Sequence, residues 1–242
     1  AEFSPDGSKI AVGGNAQRLV QIFDLKTGNE LRQFPDPTEH VGGIAWHPDG
    51  SLLAISNNDF LIHLWNVQTG QEHSTLRGHQ SLPFAFGFSS HGDRLSSWSW
   101  DGTVRLWDSA SGQELLRVPG ICGRLSQDGR RLACREGTQI KLWEVAGEEY
   151  LTLPTSVSVA ASELYNNSSR VSPDGRWLAV TSSQGLRLVD LIRRRQVMRL
   201  PIGNAEGVIF HPSGSALLVT VANQETSRWP LHLMDGELQI GP

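Results

Sequence analysis

Six glycines set the frame into which this chain must fold. Gly7, Gly50, Gly92, Gly129, Gly175 and Gly214 close the turns SPDG, HPDG, SSHG, SQDG, SPDG and HPSG, at spacings of 43, 42, 37, 46 and 39 residues. Short runs rich in β-branched and aromatic residues flank these turns, which is the pattern of a hairpin. A second mark keeps phase with the first. Phe23-Asp24, Trp65-Asn66, Trp107-Asp108, Trp143-Glu144, Val189-Asp190 and Trp229-Pro230 end a third strand 14 to 16 residues after each glycine. A third mark, Thr27-Gly28, Thr69-Gly70, Ser111-Gly112 and Ala146-Gly147, opens a turn into a fourth strand, and Asp235-Gly236 does so after a two-residue insertion. A period of about 40 residues built from short strands predicts an all-β repeat protein. One such unit cannot bury both faces of its sheet, so neighbours must stack and stability belongs to the array. Leu52, Leu53, Leu95, Leu132, Leu178, Leu217 and Leu218, on the second strand of successive copies, are expected in the core between sheets.

The third copy runs from Gly78 to Asp108, with strands predicted over Phe84–Phe88, Arg94–Trp98 and Thr103–Trp107. His79, Ser99, Asp101 and Trp107 are polar or amphipathic groups that can satisfy one another in a chain of hydrogen bonds. Twenty residues separate His79 from Ser99, two separate Ser99 from Asp101, and six separate Asp101 from Trp107. Gly78-His79, Ser99, Asp101 and Trp107-Asp108 at these spacings resemble one repeat of the WD-repeat β-propeller family. The resemblance implies an all-β propeller of about six four-stranded blades, with repeats near 1–40, 41–81, 82–118, 119–165, 166–204 and 205–242. It also implies that His79, Ser99, Asp101 and Trp107 brace their blade as a structural network. Aligning Gly7 with Gly50 sets Ala1 opposite Ile44, inside a strand, so the N-terminus is expected to fall within a blade. Either six blades close, or the chain is an arc of a larger propeller.

The copies are unequal. Repeat 2 keeps Asp59 and Trp65, has Asn57 at the serine position, and sets His40 three residues closer to its first strand. Repeat 1 offers Asn15, Gln17 and Phe23, repeat 4 offers Glu136 and Trp143, repeat 5 offers Ser182, Gln184 and Val189, and repeat 6 keeps Trp229. Losing both partners of a buried hydrogen bond can be nearly neutral. Such degeneracy is therefore compatible with the fold. The segment 154–169, PTSVSVAASELYNNSS, is the one long irregular link. It is expected as a surface loop between repeats. Its Asn166 and Asn167 fit N-x-Ser by chance.

The catalytic classes find no footing. No glycine-rich phosphate loop, nucleophile elbow or histidine pair at metal spacing occurs, so no catalytic residue, metal or cofactor is expected. His79, Ser99 and Asp101 have the residue types of a hydrolytic triad, but their spacing is that of the repeat. A channel enzyme would need titratable groups on the innermost strands, which read AEFS, GGIAWH, AFGFS, GRLS, SRVS and GVIFH. The net charge of −4 and pI near 6.1 argue against a nucleic-acid surface, and the Arg193-Arg194-Arg195 triplet reads as a solvated turn. Cys122 and Cys134 read as two buried thiols. His47, His91 and His211 read as surface turn residues. No apolar run reaches the length of a membrane span, and a cytoplasmic location is expected.

Propellers of the family that the repeats resemble act as rigid platforms for proteins. The expected function is a non-catalytic interaction scaffold within a larger multidomain protein, binding other proteins or other domains of its own polypeptide. The repeat phrasing is similar to arrays in large bacterial proteins, some of which carry a serine/threonine kinase domain. In such propellers the residues just before the turn aspartate are expected to project at the top: here Asn58 and Trp100 and, approximately, Arg135 and Ser183. Trp and Arg are enriched at interface hot spots. Trp100 reads either as an exposed anchor or as packing over a neighbouring blade, and Trp98 as core between blades.

Overall fold

The computed structural model describes residues 1–13, 19–35, 41–126, 128–137, 139–146, 149–153, 169–193, 195–211, 213–222, 225–234 and 237–240. His40, Asn15, Gln17, Arg194, Gly147, Asp235, Gly236 and the link at 154–168 lie outside these residues, as does the side chain of Cys122. Among the described residues the chain forms six four-stranded antiparallel sheets. Sheet 1 contains β1 (Glu2–Phe3), β2 (Lys9–Val12), β3 (Leu19–Asp24) and β4 (Glu30–Pro35). Sheet 2 contains β5 (Val41–Trp46), β6 (Leu52–Asn57), β7 (Ile62–Asn66) and β8 (Glu72–Leu76). Sheet 3 contains β9 (Pro83–Phe88), β10 (Arg94–Ser99), β11 (Thr103–Asp108) and β12 (Glu114–Pro119). Sheet 4 contains β13 (Ile121–Leu125), β14 (Arg131–Glu136), β15 (Gln139–Ala146) and β16 (Glu149–Leu153). Sheet 5 contains β17 (Ser169–Val171), β18 (Trp177–Ser182), β19 (Gly185–Asp190) and β20 (Arg195–Leu200). Sheet 6 contains β21 (Ala205–Phe210), β22 (Ala216–Val221), β23 (Ser227–Met234) and β24 (Glu237–Ile240). Strand order within every sheet follows the chain, as tight hairpins require.

The six turn glycines all adopt left-handed backbone, with φ between 68° and 77°. Each donates its N–H to the carbonyl three residues earlier, from Gly7 to Ser4 through Gly214 to His211. An L-residue there would carry a Cβ against the following carbonyl, so glycine is the residue the turn selects. The Asp of the turn is pinned as an acceptor: Ser4, Ser126 and Ser172 donate to Asp6, Asp128 and Asp174 at 2.5 to 2.6 Å. The next hairpin uses the residue after the repeat's aromatic position. Thr27, Thr69, Ser111 and Arg193 donate backbone N–H to side-chain oxygens of Asp24, Asn66, Asp108 and Asp190 at 2.7 to 2.9 Å. Arg193 thus enters a turn of the same construction although the Thr-Gly pair is absent.

In sheets 1, 2, 3 and 5 the third and fourth strands share one irregularity. Their register shifts between Ile22 and Phe23, Leu64 and Trp65, Leu106 and Trp107, and Leu188 and Val189. A bulge at a fixed site twists the outer strand by a repeatable amount.

The chain divides into two compact units, Ala1–Gly123 and Arg124–Pro242. In the first, Ala11, Val20, Ile22 and Phe34 of sheet 1 pack with Trp46, Leu53 and Ile55 of sheet 2. Ala45, Ala54, Ile62, Leu64 and Leu76 on the other face of sheet 2 meet Leu95 and Trp107 of sheet 3. In the second, Ala133, Ile140 and Leu142 meet Leu178, Val180, Val189 and Leu191, and sheet 5 then packs through Trp177, Ala179, Leu186 and Leu188 on sheet 6. Leu53, Leu95, Leu132, Leu178 and Leu217 are all buried, as expected. Leu218 is 38% exposed and Leu52 only half-buried. Successive strand residues point to opposite faces, so adjacent leucines cannot both enter one core.

Candidate functional site

Two features stand out in the first unit: a buried polar chain inside sheet 3 and an exposed aromatic surface at one end of sheets 2 and 3. The buried chain begins at Trp107, whose indole Nε1–H donates to Ser97 Oγ at 2.9 Å. Ser97 Oγ lies 2.8 Å from His79 Nε2, and His79 Nδ1 lies 2.8 Å from Asp101 Oδ2. The donors fix the tautomer: Ser97 O–H donates to Nε2 and Nδ1–H donates to Asp101. Burial is the largest influence on His79 and pushes its pKa below the ordinary 6.5, which keeps the ring neutral. Burial alone would raise the Asp101 carboxyl. The Thr103 hydroxyl, the Gln80 N–H and His79 outweigh it and hold the group at about 2.

Ser97 therefore occupies the position assigned from the sequence to Ser99. Both lie on the strand face that carries Trp107, whose ladder partner is Leu95. Reach decides between them: Ser97 is one face-step from Leu95 and Ser99 is two. Ser99 instead donates to the Ser81 carbonyl at 2.9 Å and accepts the Asp101 N–H at 3.1 Å, tying the incoming loop to the turn. The serine–histidine–aspartate connectivity resembles a hydrolase triad, yet Ser97 is fully buried and the His79 side chain is 1% exposed. No substrate carbonyl can reach that hydroxyl.

Cross-strand register locates the same slot elsewhere. Two residues after the partner of the repeat's aromatic position lie Val12, Ile55, Cys134, Val180 and Val219. Four sheets fill the slot with an apolar side chain. In sheet 4 it holds Cys134, a thiol whose pKa burial pushes up to about 11.

Glycine contacts explain two residues that looked incidental. A Cβ on Gly78 would come within 2.2 Å of Arg105 Nη1. Arg105 is buried, bonded to Glu114 Oε2 at 2.5 Å and 3.6 Å from Asp101. The Gly-His pair thus leaves room for a guanidinium that the sequence reading did not single out. Gly92 likewise leaves room for His47, whose Nε2 would sit 1.9 Å from an added Cβ and whose ring meets Phe88 edge-on at 5.1 Å. His47 is therefore a joint between sheets rather than the surface residue expected, whereas His91 and His211 are exposed.

The exposed surface lies where the second and third strands of sheets 2 and 3 join. The two turns emerge at the same end. Ser56, at the end of β6, donates to the carbonyl of Pro83, at the start of β9, while His47 and Phe88 meet at the far ends of β5 and β9. Trp100 is 72% exposed, so it does not pack beneath a neighbouring blade. Its ring lies 5.0 Å from Phe84, which in turn lies 5.3 Å from Trp98, its ladder partner on the neighbouring strand. Asn58 and Ser183 are exposed in their turns. Arg135 is not at a turn tip: it is half-buried within β14 opposite Ile140, because that strand runs on to a pairing of Glu136 with Gln139.

Phe60 was missed. It is 42% exposed and the one described non-glycine residue with positive φ, 68°. Its counterpart 42 positions on is Gly102, φ 78°, and both donate N–H to the carbonyl three residues back at 3.1 Å. The signal was available: SWDG in one copy stands against NNDF in the other. An aromatic residue in that conformation costs about 1–3 kcal/mol. Among the described residues no group of His, Cys, Asp or Glu is placed to hold a metal ion, and no helix is long and apolar enough to cross a membrane.

Four-stranded antiparallel sheets with fixed glycine turns, stacked through both faces, define the blades of a β-propeller repeat protein. The chain contains WD repeats: residues 28–66 and 70–108 match the WD domain, G-beta repeat. It is 38% identical over 124 residues to the Periodic tryptophan protein 2 homolog of Schizosaccharomyces pombe, covering 48% of this chain and 14% of that protein. It is 31% identical over 121 residues to Echinoderm microtubule-associated protein-like 3 of Mus musculus, covering 48% and 13%. It is 24% identical over 225 residues to Transcriptional corepressor LEUNIG_HOMOLOG of Arabidopsis thaliana, covering 75% and 29%. The chain spans less than a third of the length of each of these relatives.

Proposed function

We propose that the chain is a non-catalytic protein-interaction scaffold and that residues 1–123 present a contact surface centred on Trp100. The observation that carries this reading is the exposure of Trp100 on a rigid turn, backed by Phe84. A large aromatic ring held in water by its own fold gains by association, and Trp is the residue type most enriched at interface hot spots. The relatives lend support in kind: one is named for microtubule association and another for corepression. The inaccessible Ser97 hydroxyl supports a role without catalysis. The narrower reading, regulation of a kinase domain on the same polypeptide, rests only on the repeat phrasing. A pull-down from cell extract comparing wild type with Trp100→Ala tests the surface. Loss of a discrete partner, with unchanged circular dichroism and melting temperature, is expected. Equal capture by both proteins removes Trp100 from the surface.

A further inference from the structure

Phe60 is the residue whose conformation the fold has least reason to keep. The equivalent turn of sheet 3 is made with glycine, and a glycine at position 60 would relieve the left-handed strain. Phe60 also leaves 42% of its surface in water. A strained and exposed aromatic group points to a use outside the fold. Its place is informative, since Phe60 and Trp100 sit in corresponding turns of adjacent sheets, at the same end. Asn58 in the first turn and Gln80 in the loop leading to sheet 3 are exposed polar residues, so the two rings stand in a polar setting.

The first unit carries a surplus of negative charge. Residues 1–123 carry 8 Lys and Arg against 13 Asp and Glu, whereas residues 124–242 carry 13 against 12. A cation over an aromatic face is attracted by the ring quadrupole, and a surplus of carboxylates lengthens the reach of that attraction. Trp100 rests on the Phe84 ring, itself stacked on Trp98, so little side-chain entropy is lost when it is covered.

We infer that Phe60 and Trp100 form a two-ring anchor for arginine or lysine side chains of an extended basic segment in a protein partner. This inference rests on the reading of Trp100 as part of the docking surface. The test uses the whole chain and a labelled, end-blocked peptide of alternating arginine and alanine, with a glutamine-for-arginine peptide as comparison. Fluorescence anisotropy is expected to show binding of the arginine peptide that weakens with salt, and weak or no binding of the glutamine peptide. Phe60→Gly and Trp100→Ala are each expected to weaken binding about tenfold. Phe60→Gly should at the same time raise the melting temperature, which separates lost contact from lost fold. Leu25→Ala, at the opposite end of sheet 1, should bind as wild type. Equal binding of both peptides, or wild-type affinity in Phe60→Gly, overturns the inference. If Trp100→Ala loses its partner in cell extract while the arginine peptide fails to bind wild type, the surface stands and the basic class of partner falls.

Discussion

At the scale of single residues, the chain from Trp107 to Asp101 makes stability depend on pH in a definite direction. The folded pKa of His79 lies below the ordinary 6.5, so the unfolded chain takes up this proton first as acid is added. The contribution is fully present above pH 6.5 and is lost as pH falls through the depressed value. Asp101 acts in the same direction lower down, between 3.8 and about 2. Urea unfolding followed from pH 7 to pH 5 should therefore show falling stability, with a shallower fall in His79→Gln. An equal slope in both proteins would dissociate His79 from the effect. The identities of His79, Asp101 and Trp107 were legible from spacing alone. Ser97 was not, because three serines in LSSWS satisfy polarity and two satisfy the face, and only the reach of the indole selects one. Arg105 was hidden for another reason: a buried guanidinium shows in sequence only through the glycine that makes room for it.

At the scale of elements, one turn serves two purposes, and glycine substitutions can separate them. Gly7 and Gly92 have φ of 68° and 77°, yet an added Cβ on Gly7 meets nothing within 4 Å while one on Gly92 strikes His47. Gly7→Ala should cost about 1–2 kcal/mol, the price of left-handed backbone. Gly92→Ala should cost about 1–3 kcal/mol more, since the imidazole must leave its seat. Thermal melts of the two variants check this, and equal shifts would mean that His47 moves away freely. Turn positions and strand phase were readable because glycine and Asp recur for local reasons. Leu218 misled because a pair of leucines records apolarity but not which face each residue takes, and Arg135 misled because a two-residue hairpin extends its strand past the expected tip.

At the scale of the whole molecule, apolar burial is arranged as successive interfaces rather than one centre. Leu53 belongs to the interface of sheets 1 and 2, and Leu178 to that of sheets 4 and 5. Either one changed to Ala should cost about 2–5 kcal/mol. Hydrogen exchange should accelerate first within residues 1–123 for Leu53→Ala and first within 124–242 for Leu178→Ala. Uniform acceleration in both variants would show that the two units open together. The matched repeats at 28–66 and 70–108 also begin out of step with the sheets: each takes the outer strand of one sheet and the inner three of the next. Excising 28–66 would leave β1 to β3 facing β8. The bulge lies at the same place in both ladders, with Phe23 opposite Glu30 and Trp65 opposite Glu72, so β8 could replace β4 without a change of register. The joints of these two repeats lie within sheets, a layout that lets an array lengthen or shorten by recombination without exposing a raw strand edge.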